Sequence, residues 1–226
     1  MSRITFDSVS HAFGERRVLR DIRLDLTEHR IGIVGANGSG KSTLVRMING
    51  LVTPTSGTVT VDGLDVSRSA REVRRQVGFI FTNPDNQIVM PTVQEDVAFT
   101  LRRRGLGKAE IDERTAVALE RFGLAAHAEH PAHLLSGGQK QLLALAAVLV
   151  AEPRVVVADE PTTLLDARNA RRIRELLQTL GQQVIVVTHQ FELLEGFDRV
   201  IVIEGGEVVA DGAPEPALAS YRALLA

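Results

Sequence analysis

Hydrophobic residues in the first third of the chain repeat with the period of β-strands. Ile22, Leu24 and Leu26 alternate with polar residues, which is the pattern of a half-buried strand. Short apolar or β-branched runs predict further strands at residues 31–34, 58–61 and 77–81. An Asp-Gly pair follows the run at 58–61 and predicts a hairpin turn. Residues 41–49 have a helical pattern instead.

The middle of the chain has helical patterns throughout. Thr92 and Glu95 have the spacing of a capping box, and a helical pattern of apolar residues follows them. A second helix is predicted over residues 109–122, and a third, rich in Leu and Ala, after Ser136. We therefore expect residues 83–151 to form a helical lobe.

Strand and helix patterns alternate in the last third of the chain. Strands are predicted at residues 155–158, 184–187 and 200–203, and a helix at 166–180. Such alternation favours an α/β fold with a mostly parallel sheet that helices cover on both faces. We expect one domain over residues 1–226, in which a core of residues 1–82 and 152–226 carries the helical lobe as an insertion.

The composition excludes several classes of protein and of functional site. The chain has 226 residues, of which 44% are hydrophobic and 24% charged, as is ordinary for a soluble globular protein. Its net charge of −2 gives no basic excess that would indicate a nucleic-acid partner. The absence of cysteine excludes disulfides, thiolate metal sites and cysteine nucleophiles. The longest apolar run has ten residues, whereas a membrane-spanning helix needs about 20, so we expect a cytosolic protein that reaches a membrane only through a partner.

A glycine-rich loop follows the predicted strand at residues 31–34. It reads GANGSGKST and fits the phosphate-loop pattern G-x-x-x-x-G-K-[ST]. Its glycines let successive N–H groups point at phosphate oxygens, and the following helix adds its positive end. We expect Lys41 to bind the β- and γ-phosphates of a nucleotide and Ser42 to bind Mg²⁺. A plain strand-to-helix turn is the alternative. The predicted nucleotide-binding residues here are Gly35, Asn37, Gly38, Ser39, Gly40, Lys41, Ser42 and Thr43.

Two carboxylates follow the apolar run at residues 155–158. A buried strand delivers its last residues to the carboxyl edge of the sheet, where ligands bind in open α/β folds. Asp159 is therefore expected to hold Mg²⁺, directly or through water, and Glu160 to polarise the attacking water as a general base. A general base is typically worth about 10²–10⁴ in rate. The alternative is a pair of surface acids at a strand end.

The segment LLSGGQKQLL contains a second helix start that suits an anion. Ser136 and Gln139 have capping-box spacing, whereas Gly137 and Gly138 lower the helix propensity of the first turn. Close approach of the backbone to an anion would require such glycines. Because one phosphate loop binds one nucleotide, this helix start could serve the nucleotide of a second copy.

These motifs, in this order, resemble those of the nucleotide-binding subunits of ATP-binding-cassette proteins. The resemblance implies a P-loop NTPase core with a mostly parallel sheet, an N-terminal antiparallel β-subdomain and an inserted α-helical lobe. It also implies ATP and Mg²⁺ as cofactors, and a head-to-tail homodimer or a pair with a related ATPase. Two ATP molecules would then lie between one subunit's phosphate loop and the other's Ser136 helix.

Three single residues take their expected roles from the same resemblance. His189, in VIVVTH, matches the switch histidine, and Asp166, in TTLLD, matches the aspartate of the loop that crosses the dimer interface. Phe13 matches the aromatic residue that stacks on adenine. Without the resemblance, His189 could be a surface histidine, Asp166 a helix N-cap and Phe13 a core residue.

Residues 81–99 resemble the energy-coupling-factor branch, whose ATPases drive vitamin and metal-ion uptake. In that branch the NPDNQ segment, residues 83–87, lies beside the groove for the membrane partner. The resemblance implies an integral-membrane coupling subunit, a substrate-binding membrane subunit and a location on the cytoplasmic face of the cell membrane. The IVMPTV stretch is most similar to ATPases of biotin uptake, and cobalt and nickel ATPases are the alternative. Thr82 stands where relatives carry a coupling Gln, which leaves Gln87 as a possible substitute.

Other classes of ATPase fit less well. Chromosome-maintenance and DNA-repair ATPases have a long coiled coil between the two nucleotide motifs, and no heptad array is present here. Ribosome-associated cassette proteins carry two cassettes in one chain, whereas this chain has one. A nucleotide-gated module that does not hydrolyse is disfavoured by Glu160 and His189. An ordinary ABC importer or exporter subunit is separated from the preferred branch only by residues 83–91.

Overall fold

The computed structural model describes residues 1–102 and 104–225. The chain divides into two compact units. The sheet unit consists of Met1–Phe79, Arg154–Glu160 and the chain from Gln178 onward. The helical unit consists of Ile80–Pro153 and Pro161–Leu177. The expected division into a core and an inserted lobe, with boundaries at residues 82–83 and 151–152, stays a prediction.

Two sheets contain the strands that the structure describes. The first is antiparallel, in the order β2-β1-β4-β5, with β1 Ile4–Phe13, β2 Arg16–Leu26, β4 Ser56–Val61 and β5 Leu64–Asp65. The second has the order β10-β9-β3-β8-β7-β6, with β3 Arg30–Val34, β6 Val77–Ile80, β7 Val155–Asp159, β8 Gln183–Val187, β9 Arg199–Glu204 and β10 Glu207–Gly212.

The second sheet is mostly parallel and has its centre buried. Strand β3 pairs in parallel with β8 and β9, and β7 pairs in parallel with β8, whereas β10 is antiparallel to β9. Every residue of β3, β7 and β8 is buried, as expected for strands covered on both faces. The carboxyl ends of β3, β7 and β8 therefore meet at one edge of the sheet.

The helices follow the capping and burial patterns of their sequences. Their bounds are α1 Lys41–Ile48, α2 Val66–Gln76, α3 Val93–Arg102, α4 Lys108–Arg121, α5 Gly137–Leu149, α6 Ala167–Thr179 and α7 Pro214–Leu225. The predicted capping box before α3 is confirmed, because Thr92 N–H donates to Glu95 Oε2 at 3.1 Å and Glu95 N–H to Thr92 Oγ1 at 3.4 Å. No described helix is long and apolar enough to cross a membrane.

The α/β fold with a mostly parallel sheet and an N-terminal antiparallel sheet is confirmed, but two helices were not predicted. One is α2, whose sequence is rich in arginine and buries only Val66 and Val73. Two buried apolar residues give too weak a period, and the helix is capped by Asp65, whose side chain accepts the Ser67 N–H at 2.8 Å. The other is α7, at the end of the chain.

Candidate active site

The loop after β3 has the backbone of a phosphate cradle. Gly35 has φ +151°, and a Cβ on it would lie 1.9 Å from the carbonyl oxygen of Ile203 in β9, so only glycine fits. The loop ends at Gly40, which precedes α1. Asn37 and Gly38 are exposed on the loop, and Thr43 is half-buried in the first turn of α1.

The Lys41 side chain folds over this loop. Its Nζ donates to the carbonyl oxygens of Gly35 and Ala36, both at 2.8 Å. Burial lowers the pKa of Lys41, and the charges of nearby acids oppose that shift. The Oγ of Ser39 is buried and has no hydrogen-bond partner among the described residues. A buried cation, a spare hydroxyl and the N-terminus of α1 are donors that fit the phosphates of a nucleotide.

The two predicted metal ligands are in direct contact. Asp159 is the fully buried last residue of β7, and Ser42 Oγ donates to its Oδ1 at 2.8 Å. Hydroxyl and carboxylate oxygens are ligands that suit Mg²⁺. Arg46 was not predicted as a site residue, although its Nη2 lies 3.1 Å from Asp159 Oδ2. Its position one helical turn after Ser42 is the signal that could have found it.

Glu160 and His189 are brought together by the pairing of β7 with β8. Asp159 pairs with Val187, and the N–H of Glu160 donates to the Val187 carbonyl at 2.9 Å. The Oε2 of Glu160 lies 2.9 Å from His189 Nδ1. Because an ionised carboxylate only accepts, this bond places the hydrogen on Nδ1 of the imidazole. Glu160 has φ +53°, a conformation that costs energy for a residue other than glycine.

Phe13 is not a core residue. It lies at the end of β1 with 58% of its surface exposed, and it meets His11 edge to face at a ring distance of 4.5 Å. The core alternative is therefore wrong, and the ring is accessible to a planar ligand.

In the helical unit, Ser136 and Gln139 form the predicted capping box at the start of α5. The Gln139 N–H donates to Ser136 Oγ at 3.3 Å, and the Ser136 N–H donates to Gln139 Oε1 at 2.9 Å. With its oxygen so engaged, Gln139 directs its amide nitrogen to Nε2 of His127, 2.8 Å away. His127 Nε2 must then accept, and its Nδ1 donates to His130 Nδ1 at 3.1 Å. The two histidines were not predicted as part of this turn.

The glycines at the start of α5 have different surroundings. Gly137 is exposed, and a Cβ on it would meet only the Leu164 carbonyl oxygen, at 3.9 Å. Gly138 is buried, and a Cβ on it would lie 2.4 Å from Nδ2 of Asn169. The sequence alone explains these glycines by approach to an anion. For Gly138, the Asn169 amide in the same unit already occupies the space that a side chain would need.

Asp166 is an exposed residue that caps α6. Its Oδ1 accepts the Asn169 N–H at 2.9 Å, and its Oδ2 accepts a hydrogen from Asn169 Nδ2 at 2.8 Å. Both bonds from Asn169 lower the pKa of the Asp166 carboxyl, and the bond from the backbone N–H has the larger effect. The N-cap interpretation is thus confirmed, and the expected place at a dimer interface stays a prediction.

The segment around Thr82 and Gln87 is fastened to α5. Gln87 Oε1 accepts the Phe81 N–H at 3.3 Å, and Gln87 Nε2 donates to the Ala144 carbonyl at 3.1 Å. Lys140 Nζ lies 2.7 Å from Asp85 Oδ1. Both ends of the Gln87 amide therefore bind backbone groups, which favours an anchor over a substitute for the family's coupling Gln. Thr82 is half-buried just after β6.

The motifs and their geometry are matched by a known family. The family model described as "ABC transporter" matches residues 19–163. The chain belongs to the ABC transporter family. As a member of this family with an ATP-binding domain, it is an ATPase.

Relatives within the ABC transporter family include named transport ATPases. The biotin transport ATP-binding protein BioM of Rhizobium etli is 45% identical over 99% of each chain. The cobalt import ATP-binding protein CbiO of Syntrophus aciditrophicus is 43% identical, over 89% of this chain and 74% of its own. The energy-coupling factor transporter ATP-binding protein EcfA1 of Symbiobacterium thermophilum is 42% identical, over 96% of this chain and 81% of its own. The resemblance to the energy-coupling-factor branch is confirmed by these names.

Two solved structures of ABC ATPases have the same fold. CbiO1 of Clostridium perfringens, described as part of the ABC transporter complex cbiONQ, aligns with a TM-score of 0.84 and 31% identity over 98% of this chain and 92% of its own. The ATP-binding cassette MJ0796, a dimer in a post-hydrolysis state bound to ADP and Pi, aligns with a TM-score of 0.84 and 30% identity over 94% and 99%.

The candidate site residues of this ABC ATPase fall into two groups, one in each unit. In the sheet unit, Lys41, Ser42, Asp159, Glu160 and His189 lie at the carboxyl ends of three neighbouring strands or at the start of α1. In the helical unit, the capping box at the start of α5 and the capped Asp166 form a second group of predicted residues.

Proposed function

We propose that this ABC ATPase is the ATP-hydrolysing subunit that powers an energy-coupling-factor uptake transporter, with biotin as the transported solute. The observation that carries the hydrolytic role is the contact of Ser42 with the buried Asp159, next to a Glu160 held by His189. The full-length similarity to BioM supports biotin. Cobalt or nickel, or another ABC transporter solute, is the alternative, since the similarity to CbiO is nearly as high.

The phosphate loop binds the triphosphate. Lys41 turns from the loop carbonyls to the β- and γ-phosphates, and the N–H groups of the loop and of α1 donate to the phosphate oxygens. Ser42 and Asp159 would hold Mg²⁺, which would supply positive charge to offset that of the phosphates. Phe13 stacks its exposed ring on adenine.

Glu160 acts as the general base. Its carboxylate accepts from His189 Nδ1, which fixes one oxygen and leaves the other to orient the attacking water. The left-handed backbone of Glu160 and its N–H bond to Val187 fix where this side chain leaves the strand end. His189 thereby positions the base and offers its other nitrogen to the nucleotide side of the site.

A second subunit completes each site. Ser136, Gly137, Gly138 and Gln139 of the second copy contact the nucleotide, and Asp166 lies at the interface. The second subunit is an identical copy or a related ATPase. The dimeric state of the MJ0796 structure supports this arrangement.

Membrane subunits are the other partners. The NPDNQ segment, residues 83–87, faces an integral-membrane coupling subunit, and a substrate-binding membrane subunit receives the solute. This chain is then held at the cytoplasmic face of the membrane. Its net charge of −2 fits a role without nucleic acid.

An uptake assay tests the solute. The ATPase is co-expressed with its candidate membrane subunits in cells that cannot make biotin, and uptake of labelled biotin and labelled Co²⁺ is measured. We expect biotin uptake that depends on wild-type Glu160 and is lost in Glu160→Gln. Uptake of Co²⁺ without biotin uptake would overturn the biotin proposal and favour the alternative.

Mixed dimers test the composite site. A Lys41→Ala chain combined with a Ser136→Arg chain has one site with both lesions and one site with none. We expect the mixture to regain ATPase activity that neither mutant has alone. If mixed dimers form and regain none, Ser136 does not act on the nucleotide of the second subunit.

A further inference from the structure

Asn169 holds Asp166 with two hydrogen bonds. Its N–H and its side-chain amide bind different oxygens of the carboxylate, at 2.9 and 2.8 Å. A backbone cap needs only the first bond, so any residue at position 169 with an N–H could provide it. The second bond is specific to the asparagine side chain, and it fixes the rotation of the carboxylate.

The same amide lies against the start of α5. A Cβ on Gly138 would be 2.4 Å from Asn169 Nδ2 and 2.5 Å from its Cγ. A contact shorter than 3.0 Å forces a shift, and the Asn169 amide can shift only by giving up its bond to Asp166 Oδ2. The neighbouring Gly137 has no such crowding, because its Cβ would meet only a carbonyl oxygen at 3.9 Å.

We propose that Asn169 is a positioning residue that locks Asp166 to the first turn of α5, and that position 138 is glycine because the Asn169 amide occupies the space of its Cβ. This inference rests on the proposed function for the roles of Asp166 and of the α5 turn. Those roles require both groups to face a second subunit at the same time. The Asn169 amide makes them one rigid piece within a single chain.

The test is a double-mutant cycle with Gly138→Ala and Asn169→Ala. In Gly138→Ala the new methyl group displaces the amide and with it Asp166, and we expect kcat to fall about 100-fold, as for a misplacement of about 1 Å. Asn169→Ala removes one hydrogen bond to the Asp166 carboxylate and should lower kcat about tenfold. In the double variant the methyl group fills the space of the lost amide, so the kcat of the double variant should equal that of Asn169→Ala. This kcat would be about tenfold above that of Gly138→Ala. Such coupling is typical of residues in contact.

Three controls make the cycle specific. Asn169→Asp keeps the shape but faces Asp166 with a like charge, so its kcat should be below that of Asn169→Ala. Gly137→Ala combined with Asn169→Ala should show no recovery over Gly137→Ala. Arg171→Ala, an exposed change on the same helix, should have wild-type kcat.

The outcomes separate this inference from the proposed function. Thermal unfolding of the same variants without nucleotide reads the contact itself, and we expect the two changes to be non-additive there as well. If the two changes act independently, their effects on kcat multiply and the double variant is about 1000-fold impaired. That result would overturn the positioning role. Additive changes in the melting temperature would overturn the contact. An Asp166→Ala variant with wild-type kcat would instead refute the proposed role of Asp166 and leave the unfolding result to stand.

Discussion

Replacement of Arg46 by methionine should destabilise the fold through a buried carboxylate. Asp159 is fully buried, and Arg46 Nη2 lies 3.1 Å from its Oδ2. Removal of one partner from a fully buried pair costs about 3–5 kcal/mol. The Arg46 side chain is 41% exposed, so water can replace part of the interaction. The smaller figure for a hydrogen bond to a charged group, about 1.5–3 kcal/mol, therefore applies.

The assay is unfolding by urea and by heat in EDTA without nucleotide. For a chain of this size, the expected loss corresponds to a melting temperature lowered by about 3–12 °C. Addition of Mg²⁺ and ATP should shrink the difference from wild type, because the cation then compensates the Asp159 charge. Arg68→Ala is the matched control, since Arg68 is 88% exposed and pairs with Asp65 at 3.6 Å on the surface. For Arg68→Ala we expect the free energy of unfolding to fall by about 0–1 kcal/mol. If Arg46→Met lowers the free energy of unfolding by no more than Arg68→Ala does, the reasoning is refuted.

Four further substitutions test other parts of the site and of the fold. Lys41→Ala should weaken ATP binding measured by calorimetry and abolish hydrolysis, because it removes the cation of the phosphate loop; near wild-type turnover would contradict that assignment. Thr82→Ala should leave basal ATPase activity nearly unchanged while Gln87→Ala, which removes the Ala144 attachment of the segment to α5 and leaves the Lys140–Asp85 pair, lowers stimulation by the membrane partner; a loss of about 100-fold in Thr82→Ala would instead indicate a catalytic ligand. Burial raises the pKa of Asp96, so the folded state keeps the Asp96 proton to higher pH than the unfolded chain does. The free energy of unfolding therefore falls as pH rises from the pKa of the unfolded state to that of the folded state. Asp96→Asn should remove this part of the pH dependence in urea unfolding, and a variant whose stability changes with pH in parallel with wild type would contradict it.

In the sheet unit, the phosphate loop and the two acids that the sequence predicted lie where strands end. The phosphate loop follows β3, and the two acids lie at the end of β7 and just after it; the apolar runs of these strands, residues 31–34 and 155–158, are of the kind that is buried on both faces of a sheet. The parallel order of the sheet then fixes which strand ends meet. The pairing of Glu160 with His189 follows from that order, which a single sequence does not contain.

The contacts that the sequence did not reveal are made by ordinary polar residues on helices. Arg46, His127 and Asn169 belong to no motif, and each has its role only because folding brings it to a motif residue. Polar residues on helix surfaces usually face water, so their residue types carry no signal of such contacts. Gly138 was noticed as an unusual helix residue, but the Asn169 amide that explains it is 31 positions away along the chain.

The central claim is that Glu160 activates water in an ATP site that two subunits share. Glu160→Gln keeps the shape of the side chain and its hydrogen bond to His189 while removing the base. The decisive measurement is ATPase turnover together with light scattering after size exclusion, with and without ATP. We predict that the variant loses hydrolysis by at least about 100-fold, still binds ATP and becomes a dimer in ATP alone. Wild-type turnover, or a monomer at saturating ATP, would contradict the account.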